Sequence, residues 1–170
     1  MITGTRRLHG VLLALGLITI CSFGCASDPA PTTPAPRPAT NAAPATLTIR
    51  TTDLRNRNGQ LVFGVFTQSD GFPSDAKKSV NWQVKAAEET DPADPKVVVF
   101  TCQLPPGMYG ASVLHDENKN GQMDTRLGIP REGYGVTNNP KPKFRAAKFS
   151  ESTFTLPPEG ATLTISLQYF

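Results

Sequence analysis

The residues best equipped for chemistry stand together between His115 and Gly135. His115, Asp116, Glu117, Asn118, Lys119, Asn120, Gly121, Gln122, Met123 and Asp124 follow one another without a break, and Glu132 comes shortly after. Asp116, Asn118, Asn120, Gly121 and Asp124 fall at positions 1, 3, 5, 6 and 9 of a calcium-loop register. Alternate residues of a tight loop can turn oxygens inward, a glycine permits the sharp bend, and the Gln122 carbonyl is placed to complete the ring. The register departs from an EF-hand at position 12, where Leu127 replaces the bidentate Glu, so Glu132 or Glu117 must supply that carboxylate. The expected metal set is therefore Asp116, Asn118, Asn120, Gln122, Asp124 and Glu132. With few charged ligands its Ca²⁺ affinity should be modest, about 10⁻⁴ to 10⁻³ M. The competing reading is a long turn in which Asn side chains bond their own backbone and Asn120-Gly121 sets a positive φ.

The same stretch admits an acid–base reading, in which His115 and Glu132 would serve an envelope hydrolase or lyase. Neighbours on a strand point to opposite faces, so His115 and Asp116 do not converge on one substrate atom. No Ser or Cys stands in a nucleophile context. The sequence therefore points to a binding or structural module, not an enzyme.

The elements that must position this stretch are strands. Leu47, Ile49 and Thr51 alternate with Thr48, Arg50 and Thr52, the period of a half-buried strand. Asn58-Gly59 marks a hairpin, and Gln60–Thr67 returns as an almost continuously apolar, central strand in which Gly64 signals a bulge or a close backbone approach. Val80, Trp82 and Val84 alternate with polar residues, which predicts a third strand with Trp82 in the core. Further strands are expected at Val97–Cys102, Tyr109–His115, Phe149–Leu156 and Ala161–Tyr169, with turns at Pro105-Pro106-Gly107 and Pro157–Gly160. Seven short strands and no convincing helix predict an all-β fold, an antiparallel seven-stranded β-sandwich of immunoglobulin-like or transthyretin-like kind.

The N-terminal part of the chain is organised differently. Arg6 and Arg7 precede an apolar run from Val11 to Ile20, with small residues at Gly24 and Ala26, as in an export signal. Ser22-Phe23-Gly24-Cys25 resembles a bacterial lipoprotein signal, which would lipidate Cys25 and tether the protein to the cell envelope. The alternative is cleavage after Ala26 and a soluble periplasmic or secreted product. Residues 26–45 form a linker rich in Pro, Ala and Thr, unable to bury a core. The expected organisation is thus a signal over 1–25, a linker over 26–45 and one domain over 46–170. The chain carries 17 Lys and Arg against 14 Asp and Glu. Loss of Arg6 and Arg7 with the signal leaves 15 against 14, which argues against a nucleic-acid partner. The cluster Lys141, Lys143, Arg145 and Lys148 reads as a solvated loop. The expected partner is an envelope ligand or protein, with the membrane reached through the lipid anchor only. Cys102 is left alone in the domain and reads as a buried hydrophobe.

One resemblance rests on specific residues: Pro106-Gly107-x-Tyr109, the run from His115 to Asp124, Leu127-Gly128-Ile129-Pro130-x-Glu132-Gly133-Tyr134-Gly135, and Thr137-Asn138-Asn139. With these the chain resembles the exported bacterial proteins of domain of unknown function 2141, across about Leu61 to Tyr169. Members commonly have Ser where this chain has Thr137. The resemblance implies a small secreted β-sandwich and carries no catalytic residues.

Overall fold

The computed structural model describes residues 43–141 and 145–170. The export signal with Cys25, and the linker as far as residue 42, lie outside the described residues, as does Lys143. Among the described residues ten strands follow one another: β1 (Ala45–Thr52), β2 (Gln60–Phe66), β3 (Asn81–Ala86), β4 (Val98–Leu104), β5 (Gly107–Asp116), β6 (Thr125–Arg126), β7 (Ile129–Pro130), β8 (Gly133–Val136), β9 (Thr153–Leu156) and β10 (Ala161–Ser166). The only helical turns among the described residues are short 3₁₀ segments at Ala76–Lys78 and Phe149–Glu151. The fold is all-β and built from several sheets.

One sheet has the order β10-β1-β4, and the other runs β3-β2-β5-β8 with β9 also on β5. The long β5 holds two partners in succession: Gly107–Gly110 pair with β9 and Ser112–His115 with β8. Strands β6 and β7 form a separate two-stranded ribbon. The arrangement departs from seven antiparallel strands in two ways. The pair β1–β10 is parallel, because the turn at Pro157–Gly160 carries the chain from one sheet to the other. The segment after the loop also contributes β6, β7 and β8, too short and glycine-rich to show a period of two.

Alternation supplies the core. Leu47, Ile49, Val98, Phe100, Cys102 and Ile165 face Leu61, Phe63, Val65, Tyr109, Ala111, Val113 and Leu156 across the two sheets. Phe63 of β2 and Phe100 of β4 stack with centroids 5.0 Å apart. Each such ring contributes about 2–3 kcal/mol of burial.

Strand β3 corrects one expectation. Val80, Trp82 and Val84 alternate, but onto the outer face: Val80 and Val84 are about half exposed and Trp82 is only partly buried. Trp82 lies over Gly64, its partner in the register, where a Cβ would come within 2.9 Å of the indole. Gly64 therefore marks a close approach. The inward positions of β3 are Gln83 and Lys85, which donate to the carbonyls of Thr101 (3.0 Å) and Val99 (2.6 Å). These side chains cover the open edge of β4, a position where bare backbone groups would invite strand addition. On the other side the chain beyond β10 closes the gap. Leu167 N–H donates to Thr52 O at 3.1 Å, and Gln168 exchanges two backbone hydrogen bonds with Tyr134 of β8.

Candidate functional site

His115 is the last residue but one of β5, its side chain fully buried, at the end of the sheets where β1 leads into β2. Its Nε2 lies 2.8 Å from the Asn58 carbonyl and its Nδ1 2.8 Å from the Tyr169 hydroxyl. A carbonyl only accepts, so Nε2 carries the hydrogen, and in the neutral tautomer Nδ1 accepts from Tyr169 Oη. That oxygen in turn accepts Arg55 N–H at 3.2 Å. Tyr169 reaches the histidine because Gly133, opposite His115 in the β5–β8 register, has no side chain: a Cβ there would sit 2.3 Å from the tyrosine ring. Both ring nitrogens are thus engaged in joining the β1–β2 connection, β5 and the C-terminal segment; that connection crosses from one sheet to the other, so Asn58-Gly59 does not close the hairpin expected of it.

Asp116 is equally buried, and both its oxygens face the following turn. Oδ1 accepts Asn120 N–H at 3.0 Å; Oδ2 accepts Gly121 N–H and the Gln60 amide, each at 2.7 Å. Asn118 and Asn120 accept the N–H groups of Asn120 and Gln122 through their own carbonyl oxygens, at 3.0 and 2.8 Å. Their amide nitrogens donate to the two oxygens of Asp124, at 2.7 and 3.0 Å. Glu132, 4% exposed, lies behind the loop and takes Glu117 N–H at 2.9 Å and Asp124 N–H at 3.0 Å. The chain therefore brings Asp116, Asn118, Asn120 and Asp124 around one turn. Glu132 holds the backbone of that turn, and Gln122 joins it through its N–H. Among the described residues no group of three or more His, Cys, Asp or Glu side chains is spaced to hold a metal ion. Of the expected calcium set, the side-chain oxygens of Asp116, Asn118, Asn120, Asp124 and Glu132 accept hydrogen bonds within the loop and its neighbours.

Three features lie outside what the motif alone suggests. Arg55 clamps the loop from the β1–β2 connection: its Nε donates to Glu117 at 2.6 Å, its NH2 group to the Arg131 carbonyl at 2.9 Å, and its guanidinium lies 4.7 Å from the centre of the Tyr169 ring. The Arg55 hydrogen bond holds the Glu117 carboxyl below its ordinary range, against the opposing effect of burial. Burial raises the Tyr169 hydroxyl, and the Arg55 N–H partly offsets this. The second feature is Thr137-Asn138-Asn139, which pins neighbouring strands. Thr137 Oγ1 accepts Ala111 N–H and donates to Ser152 O. Asn138 donates to Thr153 O, and Asn139 accepts Ser166 N–H while donating to Thr164 O, standing in for a strand residue beside β10. Both asparagines have positive φ, which Asn tolerates better than most residues.

The third feature is the β6–β7 ribbon. Its two-residue turn places Leu127 and Gly128 at positive φ, 53° and 77°, the geometry for which Asn-Gly is the preferred pair. Leu127 is 96% exposed and Ile129 55%. Nothing in the spacing of the calcium register signals a projecting apolar tip.

The family model for an uncharacterised protein conserved in bacteria, DUF2141, matches residues 49–165. No curated protein and no solved structure gives a significant match.

Proposed function

Because the chain belongs to the DUF2141 family of uncharacterised bacterial proteins, its activity has to be read from its own residues, and we propose an exported, lipid-anchored, non-enzymatic binding or structural module. Its body is read as a β-sandwich of immunoglobulin-like or transthyretin-like kind, in support of which two sheets share one core. Export and attachment at Cys25 rest on the signal-like residues and the Pro-rich tether after them. The observation that carries the reading is the use made of the two buried carboxylates. Asp116 and Glu132 turn their oxygens onto four backbone N–H groups of the 117–124 loop. Such charge-assisted bonds fix a loop before any partner arrives, which lowers the ordering cost of recognition. The acid–base alternative would need free polar atoms on His115 and Glu132, and each of those atoms already has a partner.

Calcium is kept as a second reading because four oxygen-bearing side chains converge on one turn. Binding would require the Asn118 and Asn120 amides to turn their oxygens away from backbone N–H groups. Thermal melting decides between the two. A self-bonded loop melts at the same temperature with and without 1 mM Ca²⁺. A site with Kd near 10⁻⁴ M would add about 1.4 kcal/mol, several degrees for a domain of this size. A rise that disappears in Asp124→Ala would replace the self-bonded loop with a metal site. Palmitate labelling tests the anchor: label that persists in Cys25→Ala would remove it.

A further inference from the structure

We propose that the β6–β7 hairpin is a membrane-contacting wedge, inserting Leu127 and Ile129 into the headgroup region of an anionic phospholipid bilayer while Arg126 and Arg131 bind its phosphates. The proposal rests on the envelope-tethered reading above and names the surface that the loop meets.

Two independent properties of the hairpin point to a ligand. The first is apolar exposure combined with backbone cost. Leu127 is almost wholly exposed at a left-handed position that Asn or Gly would occupy with less strain. A leucine there weakens the turn and gains nothing from packing inside the molecule; such strained positions gather where a ligand is met. The second is charge. Ile129 pairs with Arg126 across the ribbon, and Arg131 follows two residues on, on the same face by strand alternation. Among the described residues neither arginine has a carboxylate partner. The nearby carboxylates already have other partners: Asp116 and Glu132 bond the loop backbone, Glu117 pairs with Arg55, and Asp124 accepts the Asn118 and Asn120 amides. The tip therefore presents a cationic rim around an apolar apex. This suits an interface where phosphates lie above acyl chains, and aliphatic side chains flanked by arginine are the pattern of interfacial segments.

Geometry permits contact with the bilayer that carries the anchor. The ribbon lies at the end of the sheets where β1 finishes, whereas the linker enters at Ala45, the opposite end. At ~3.1 Å per residue the Pro-rich segment 26–44 reaches about 60 Å. The ten-residue β5 spans about 33 Å. A segment of that contour length exceeds the span of β5, so the envelope-tethered reading does not keep the tip from the same bilayer, where tethering would make a weak contact count.

The experiment uses the full chain with vesicles of phosphatidylglycerol and phosphatidylethanolamine whose acyl chains are brominated. Tryptophan is introduced as Leu127→Trp, or as Glu159→Trp at the far turn, with the native Trp82 as baseline. Quenching is expected at position 127 and not at 159, and it should weaken in phosphatidylcholine vesicles and at high salt. Arg126→Gln with Arg131→Gln should reduce the partition about 25-fold, fivefold per arginine. Leu127→Asn should raise the melting temperature, since it relieves the turn. Equal quenching at 127 and 159, no quenching at 127, insensitivity to lipid charge, or a lower melting temperature in Leu127→Asn would each overturn the proposal. The contrast between 127 and 159 is read on the chain whether or not Cys25 is acylated, so failure of the anchor and failure of the wedge give different results.

Discussion

The Tyr169 hydroxyl stands between a main-chain N–H and a buried imidazole. Removing the hydroxyl leaves the fully buried His115 Nδ1 short of its partner, whereas Arg55 N–H lies at the exposed edge and can turn to water. Tyr169→Phe should therefore cost about 1–3 kcal/mol, although the ring and its contact with Gly133 remain. A lower denaturation midpoint with an unchanged slope would show this. If Tyr169→Phe left the midpoint where it was, the histidine would have another partner and the latch described here would be wrong. The same logic explains why His115, the residue that most invites a catalytic reading, acts as a joint: its two nitrogens meet groups from two other segments of the chain.

At the scale of elements, β8 determines how the two sheets are joined. Its inward positions are Gly133 and Gly135, and a Cβ on Gly135 would lie 2.5 Å from Ile165 Cγ2 and 2.8 Å from the Ser166 carbonyl. The second of these is backbone and cannot swing aside. Gly135→Ala should push β8 away from β10 and cost about 1–3 kcal/mol, the usual range for overpacking. The Tyr134 and Gln168 amides, which pair across this seam, should lose hydrogen-exchange protection before the core of β2 does; equal protection in variant and parent would argue against the seam. These glycines also show where sequence reading stops. Alternation located β1 and β10, each with one face toward the core, and apolar or β-branched runs located β2, β4 and β5, of which β2 is buried on both faces. Alternation could not find β8, whose inward face is empty so that Ile165 and Tyr169 can fill it. On β3 it found the strand but assigned the faces in reverse, since Gly64 makes room for Trp82 outside. Within the loop, Asp116 and Glu132 were legible as important carboxylates. Their partners are mostly backbone N–H groups, which carry no residue-type signal, and so a self-bonded turn and a cation site look alike in the sequence.

For the whole molecule, hydrogen-bonded carboxylates and a buried thiol and tyrosines titrate differently in the folded chain, and this sets a pH window for stability. At the acid side, Glu117 is held low by the Arg55 hydrogen bond and Glu151 falls to about 2 through its hydrogen bond with Arg145. Asp91 is lowered by the Ala93 N–H and then by Arg50. A carboxyl whose folded pKa is depressed gives stability above its unfolded value and loses it as pH falls through the folded one. Stability should therefore decline from about pH 4.5 toward pH 2. At the alkaline side burial raises the Cys102 thiol from 9.0 to about 11 and lifts Tyr109, Tyr134 and Tyr169 above 10.0. Here the unfolded chain gives up its protons first, so the stabilising effect is complete below pH 9 and is lost as pH rises toward 11. Urea midpoints measured across this range should show a plateau between the two limbs. In Cys102→Ala the plateau should sit lower, because the substitution trims a core side chain, but the fall beginning near pH 9 should shrink, leaving only the later loss that follows the tyrosines. An alkaline limb unchanged in that variant would mean that the thiol is not the group titrating there, and that Cys102 is more accessible than its place between Phe100 and Leu104 on β4 implies.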